Sequence, residues 1–218
     1  KKIIRDFCIS INLIDKLEFY CVISVLIGSR IGYCIFYEPQ YYFTNIPEIC
    51  YIWNGGLSSH GGFIGLCIGL YLFSVNNNVK FCNIINLITI ISPLFCSIIR
   101  LANLINSEII GKITKFKYAF IFANVDNMPR HPVQLYESLT YLIIFIFIYN
   151  IHKKNKISKN FISSIVIILL SISRFLLEYF KDDRLNILII FTIGQILSIP
   201  FMIIGILICI REFFVKKK

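Results

Sequence analysis

Charge is what this chain has least of: Asp, Glu, Lys and Arg make up 16% of its 218 residues, whereas 57% are hydrophobic, with 20 phenylalanines and 12 tyrosines. A water-soluble domain of this size normally carries about a quarter charged residues, so the composition excludes an ordinary soluble fold. Acid is scarcer than base, with 12 Asp and Glu against 22 Lys and Arg, for a net charge of +10. The lysines gather at the chain ends and between apolar runs, with no basic stripe among polar residues; nucleic acid is therefore not the expected partner, and anionic lipid headgroups are. HExxH, GxSxG and Walker motifs are missing, as are paired metal-ligand spacings. Cys8, Cys21, Cys34, Cys50, Cys67, Cys82, Cys96 and Cys209 lie singly without a CxxC pair, which reads as small buried hydrophobes rather than a zinc site or disulfide framework. No metal and no cofactor are expected. A cleavable signal peptide is also missing from the 218 residues, because Lys1–Lys16 is amphipathic and too charged to be a span.

What the chain does have is long apolar runs, at about residues 17–37, 57–75, 84–101, 133–149, 161–180 and 187–210. Runs of about 17 to 25 residues cross the hydrocarbon as helices, which predicts an all-α, polytopic membrane bundle of about six spans. Pro93 interrupts the third run, predicting a kinked or partly re-entrant helix there. Six spans put both chain ends on one side. The loops and tails on that side hold 13 cations and the opposite side 6, so the positive-inside bias predicts cytoplasmic termini. The expected organisation is an amphipathic cytoplasmic segment (1–16), a membrane domain (17–210) with extracytoplasmic loops near 38–56, 102–132 and 181–186, and a basic cytoplasmic tail (211–218).

Arg30, Arg100 and Arg174 fall within the apolar runs, in the outer halves of their helices. A lone arginine in hydrocarbon costs roughly 2.5 to 3.5 kcal/mol on insertion scales, so each is expected to have a partner or a task. Three such cations facing one leaflet suggest an anion-binding region. Arg100, Asn103 and Ser107 share a helix face and offer a guanidinium fork and an amide to phosphate and hydroxyl oxygens. Glu108 reads as an orienter of Arg100 or Asn106, or as half of a structural ion pair. Arg174 and Glu178, four residues apart, neutralise one another, or else Arg174 faces an anion and Glu178 sets its rotamer. Gln134, Tyr136 and Glu137 are polar groups entering a membrane helix behind Pro132, and need partners. His60 stands at the outer end of the second span, where an imidazole binds a headgroup, exchanges a proton near neutral pH, or is satisfied by water and backbone. Gly61, Gly65 and Gly69 repeat every four residues and give the second apolar run one smooth face for another helix or a lipid chain. Gly194-Gln195 and Pro200 are expected to bend the last helix and let Gln195 reach a cavity.

Six ordered pieces then carry a resemblance: SRIGYCIFY at 29–37, WNGGLSSHGGFIG at 53–65, RLANLINSEIIGK at 100–112, RHPVQLYE at 130–137, SRFLLEYF at 173–180 and GQILSIP at 194–200. Together they resemble the phosphatidylglycerol–prolipoprotein diacylglyceryl transferase family of bacterial lipoprotein maturation, over about residues 12–215. The resemblance implies an integral enzyme of the bacterial inner membrane that moves diacylglyceryl from phosphatidylglycerol to the lipobox cysteine thiol of a prolipoprotein and releases glycerol phosphate. It implies seven spans and an outside N-terminus for the family, so the six spans here correspond to all but the first. His60 matches the family's motif histidine, Arg100 and Asn103 its signature arginine and asparagine, and Arg174 its second essential arginine; Asn106, Glu108 and Gly111 also match the signature. Ser29, Ala102 and Ser107 stand where glycine is usual, and Asn86 where aspartate is common.

The candidate set is thus His60, Arg100 and Arg174 as catalytic residues, with Arg30, Asn103, Asn106, Glu108, Gly111, Gln134, Tyr136 and Glu178 binding substrate. Expected partners are phosphatidylglycerol, lipobox-containing prolipoproteins and membrane lipids, on a monomer. The competing reading from the residues alone is an anionic-lipid-binding membrane protein or small transporter, including a transferase homologue without catalysis.

Overall fold

The computed structural model describes residues 7, 10–154, 157–182 and 192–215. Residues 1–6, 8 and 9 of the 1–16 segment, Lys156, Asp183, Arg184, the first part of the last apolar run (187–191) and Lys216–Lys218 lie outside the described residues. Helix dominates, and the chain divides into two compact units, Lys1–Leu87 and Ile88–Lys218.

In the first unit, α1 (Ile14–Phe36) leads into a short α2 (Pro39–Thr44), two 3-10 turns (Ile46–Cys50 and Ile52–Asn54) and α3 (Ser59–Asn76). Ser58 caps α3, its hydroxyl accepting from the Gly61 N–H at 3.3 Å. The glycine row of α3 packs on α1, because Gly28 and Gly32 meet it there. A Cβ at Gly65 would run into the Ser24 carbonyl, and one at Gly32 would sit 2.6 Å from the Gly61 Cα. Close backbone approach of this kind is how membrane helices gain dispersion contact without a hydrophobic driving force. Beside the seam runs an open apolar groove of about 630 Å³, lined by Ile23, Ile27, Ile31, Ile64, Ile68 and Leu72 among others.

α4 (Phe81–Ile105) continues from the first unit into the second, which also holds α5 (Val133–Lys153), α6 (Lys159–Leu177) and α7 (Ile193–Val215). α6 packs on both α5 and α7, and α4 joins α5 through the buried hydroxyls of Ser97 and Ser138, 2.9 Å apart. A minimal hairpin, β1 (Phe120–Ile121) with β2 (Pro129–Arg130), lies in the α4–α5 connection. α6 is capped by Ser158 through the Phe161 N–H at 3.2 Å. Ahead of α7, Thr192 and Gln195 form a reciprocal capping box, each side chain accepting from the other's N–H at 3.3 and 3.0 Å, the arrangement that satisfies two orphan donors at once.

Among the described residues five helices are long and apolar enough to cross a membrane, α1, α4, α5, α6 and α7. α3, with 18 residues, is shorter than those five and reaches about 27 Å at helical rise, close to the hydrocarbon thickness of about 30 Å. Only 11% of the most apolar window of α7 is buried within the protein, so its outward face needs lipid for a solvent. The fold is an all-α polytopic membrane protein.

One sequence expectation changes here. The third span is not re-entrant: α4 is one helix of 25 residues with Pro93 inside it. Proline removes the N–H that would bond to the carbonyl four residues back, which is that of Thr89. The Ser92 hydroxyl donates to that carbonyl at 2.8 Å, so hydrocarbon meets no unpaired oxygen. Besides its capping bond, Gln195 donates to the Phe175 carbonyl at 3.3 Å. The seven described cysteines are unpaired, but only Cys34 among them is buried, and those exposed on span helices face lipid rather than a core.

Candidate functional site

In the second unit, polar chemistry concentrates where α4, α5 and α6 approach one end of their spans. Glu137, in the second turn of α5, is fully buried; its Oε2 lies 2.9 Å from Arg100 Nε and its Oε1 3.0 Å from Lys181 Nζ. Both contacts are ion pairs at close range, yet out of line for hydrogen bonds. Lys181 also pairs with the Glu178 carboxylate at 2.7 Å. Arg100–Glu137–Lys181–Glu178 is therefore a chain of alternating charge drawn from α4, α5 and the end of α6. Such a chain offsets the desolvation each member would suffer alone.

Arg174 stands outside that chain. Its side chain is exposed and makes no ion pair or hydrogen bond among the described residues, although Glu178 is one turn away. Of the two arrangements left open for Arg174, the pair with Glu178 is not formed; Glu178 is held by Lys181. Arg174 and Arg100 nonetheless act on the same two groups, since the charges of both reach the Cys96 thiol on α4 and the Tyr141 hydroxyl on α5. Arg100 spends its Nε on Glu137 and keeps both Nη groups unengaged among the described residues. Three cations against two carboxylates leave the cluster with one positive charge, and it resides on the side chain that has no partner.

Asn103, one turn beyond Arg100, is half-buried with an unengaged amide. Beyond it the chain leaves the helix through Ser107 and Ile109, both left-handed, at φ 57° and 54°. Glu108 does not orient Arg100; its carboxylate accepts from the Asn106 amide at 3.4 Å, and its backbone carbonyl accepts from Gln134 Nε2 at 2.5 Å. Gln134 is fully buried and its Oε1 has no partner. Tyr136 packs against Phe180 and against His131, whose Nδ1 lies 3.4 Å from the phenol oxygen.

Gly111 sits between two backbones. Lys112 donates to the Phe180 carbonyl and His131 to the Lys112 carbonyl, at 2.8 and 3.0 Å, and a Cβ at Gly111 would strike the His131 carbonyl. Its glycine is explained by this close approach. Arg130, buried beside it, donates to the Gly111 carbonyl, to Asp182 at 2.7 Å and to Asp126 at 2.6 Å. The Asp126 carboxylate, helped by Asp182, holds the Arg130 guanidinium above its ordinary pKa in spite of burial. Arg130 thereby ties the α4–α5 connection to the chain leaving α6, and so steadies Lys181.

In the first unit, Arg30 departs from the substrate-facing expectation. It is buried, and it donates to the carbonyls of Ile49, Gly55, Gly56 and Glu48, at 2.9, 2.6, 3.3 and 2.7 Å. A guanidinium bonded in four places organises the loop before α3 and has little left for a headgroup. His60, in the first turn of α3, is exposed, and its ring has no partner among the described residues. Among the described residues no three His, Cys, Asp or Glu side chains gather closely enough to hold a metal ion.

Helices of this length and apolarity define a polytopic membrane protein, with a charge chain inside its spans and an arginine that has no partner among the described residues. The family can be named as well. A family profile described as prolipoprotein diacylglyceryl transferase matches residues 3–211, and the chain belongs to that family. It is similar to proteins named phosphatidylglycerol–prolipoprotein diacylglyceryl transferase from Bacteroides fragilis, 38% identical over 98% of this chain and 82% of that one. The corresponding protein of Chloroherpeton thalassium is 42% identical over 91% and 76%, and that of Rickettsia bellii 36% identical over 96% and 83%.

Sequence reasoning missed Lys181, which counted only as a loop charge, and it left Glu137 without a partner. A carboxylate two turns into a membrane helix signalled that a cation must exist. Which cation could not be read, since Arg100 and Lys181 lie 37 and 44 residues away on other elements.

Proposed function

We propose that this protein is a transferase that moves the diacylglyceryl group of phosphatidylglycerol onto the lipobox cysteine thiol of a prolipoprotein, forming a thioether and releasing glycerol phosphate. The observation that supports the reading is the positive charge at Arg174, which has no partner among the described residues, together with the Nη groups of Arg100 that are unengaged among them. A phosphodiester headgroup brings one negative charge and planar pairs of oxygens suited to guanidinium forks.

In the reaction the thiol sulfur attacks the glyceryl carbon that bears the phosphate. The C–S bond forms, the C–O bond breaks, the bonding pair leaves on the phosphate oxygen, and the thiol proton passes to a base. Arg100 and Arg174 stabilise the charge collecting on the leaving phosphate. Glu137 holds the Arg100 Nε and so directs its remaining donors. Asn103, with its amide unengaged, is the neighbouring donor for a headgroup hydroxyl. His60 is assigned as the base on chemistry and motif, because the thiol has a reference pKa near 8.5 and reacts as thiolate. Asn106, Glu108, Gly111, Gln134 and Tyr136 shape the loop and helix start around that region, and Glu178 acts through Lys181. The orientation assigned is a bacterial inner membrane, with both termini cytoplasmic and the loops near 38–56, 102–132 and 181–186 outside. A monomer suffices for the site.

The test is reconstitution with phosphatidylglycerol and a lipobox peptide, read by mass spectrometry. A peptide heavier by one diacylglyceryl group is expected from the unaltered chain. Arg100→Lys, which keeps charge but loses the fork, is expected to lower transfer by about a hundredfold or more, the range for losing one transition-state donor. Full activity of that variant removes the phosphate-clamp assignment. Anion flux without lipidated peptide would favour a transporter. His60→Gln with an unchanged pH–rate profile would remove the histidine as base.

A further inference from the structure

Glu178 follows Arg174 by one helical turn, the spacing at which opposite charges on a helix pair, yet its carboxylate turns away. Lys181 holds it from one side, at 2.7 Å. On another side stands Gly194, in the first turn of α7. A Cβ at Gly194 would run into Oε1 and the carboxyl carbon of Glu178 and would lie 2.8 Å from Oε2. The buried carboxylate is thus packed on the bare Cα of Gly194, in space that any other residue type would fill. Among the described residues, Gly194 is the one glycine of the chain at which a Cβ would meet a charged group. Glycine weakens a helix relative to alanine, and Gly194 has no positive φ to require it. What the glycine makes room for is the carboxylate. The place suits an anion as well, since the first turn of a helix carries unbonded N–H groups and the positive end of the helix dipole.

Resting on the reading of Arg174 and Arg100 as a phosphate clamp, we propose that Gly194 is a positioning residue of that clamp: the gap at its Cα stores the Glu178 carboxylate and so keeps Arg174 unpaired. A methyl group at position 194 evicts the carboxylate. The evicted group keeps its one-turn spacing to Arg174, whose guanidinium has no partner among the described residues to compete for it. The fork that meets a phosphate is then closed by an internal anion, and the surplus positive charge moves off Arg174 into the rest of the charge chain. Gly194 itself touches no substrate and acts through Glu178.

The test is a cycle of Gly194→Ala and Glu178→Gln, singly and together, in the full chain. Two properties are read: the rate at which phenylglyoxal modifies Arg174, followed by peptide mass, and the retention of phosphatidylglycerol over phosphatidylcholine by the detergent-solubilised protein. Gly194→Ala is expected to slow the modification severalfold and to weaken phosphatidylglycerol retention about ten- to a hundredfold, the range for losing a hydrogen bond to a charged group. In the Glu178→Gln background the same alanine should change either property by no more than about twofold, the behaviour of uncoupled sites, because a displaced amide cannot neutralise Arg174. A purely steric role for the glycine would give equal losses in both backgrounds and overturn the proposal, as would loss of cooperative melting with alanine in both. Faster modification of Arg174 in Glu178→Gln with glycine kept at 194 would also overturn it, by showing that the carboxylate already covers Arg174. The modification is read without lipid or transfer, so coupling in the cycle stands even if the peptide assay finds no transferase. A chain that transfers but shows no coupling sinks the role of Gly194 and leaves the transferase reading intact.

Discussion

If the charge chain around Glu137 is one balanced unit, cutting it at one place should be repaired in part by cutting it at a second. Glu137 is wholly buried and Lys181 side-chain exposure is 6%, so each belongs to the regime in which losing one partner of a buried pair costs about 3–5 kcal/mol. Glu137→Gln leaves Arg100 and Lys181 with only Glu178 between them. Lys181→Met leaves Glu137 and Glu178 with only Arg100. The double variant retains Arg100 and Glu178, one charge of each sign, with a methionine stem filling the lysine's volume. Its loss of stability should therefore fall short of the sum of the single losses by about 1–3 kcal/mol, the coupling expected of residues in one network. Equilibrium unfolding in mixed detergent, followed by circular dichroism for the four members of the cycle, measures this. Additivity within about 0.5 kcal/mol, the behaviour of independent sites, would refute the network, whatever the size of the single effects.

Three further outcomes follow from positions already described. Arg30→Lys keeps the charge but cannot span four carbonyls, and loses on the order of 3 kcal/mol, about two charge-assisted hydrogen bonds; faster proteolysis within 38–56 is the readout, and unchanged protection would count against Arg30 as the organiser of that loop. Gly65→Ala forces a methyl against the Ser24 carbonyl and should cost about 1–3 kcal/mol as overpacking, seen as a lower melting temperature in detergent. Ser107→Gly relieves a left-handed residue at φ 57°; a strain of roughly 1–2 kcal/mol, less the greater chain entropy of glycine at about 0.5–1 kcal/mol, predicts a gain of about 0.5–1 kcal/mol. A destabilised Ser107→Gly variant would mean that the serine side chain has a contact worth more than the strain.

The spans were legible because hydrocarbon thickness leaves a strong mark on a chain. The predicted run at 133–149 became Val133–Lys153, and that at 17–37 became Ile14–Phe36. Pro93 misled because its cost depends on a neighbour's rotamer, and the Ser92 hydroxyl lies beyond what a proline rule sees. The glycines of α3 were legible as a packing face, though not that Gly28 and Gly32 would meet them. At the site, Arg100 and Arg174 announced themselves by being costly. Arg30 looked the same and differs, because its partners are backbone carbonyls of a loop that carries no sequence signal for them. Arg174–Glu178 obeyed the helical pairing rule and was outcompeted by Lys181, a residue whose reach into the cluster is set by the turn after α6.

The bond from Ser92 to the Thr89 carbonyl makes two adjacent positions into one heritable unit. If Pro93 reverts to an ordinary helix former, Thr89 regains a backbone donor and Ser92 becomes free to drift. If Ser92 loses its hydroxyl first, a carbonyl is stranded in a medium that offers no replacement, at a cost of several kcal/mol. Descent through this pair is therefore directional: lineages can leave it by way of the proline, and those that alter the serine first should be rare.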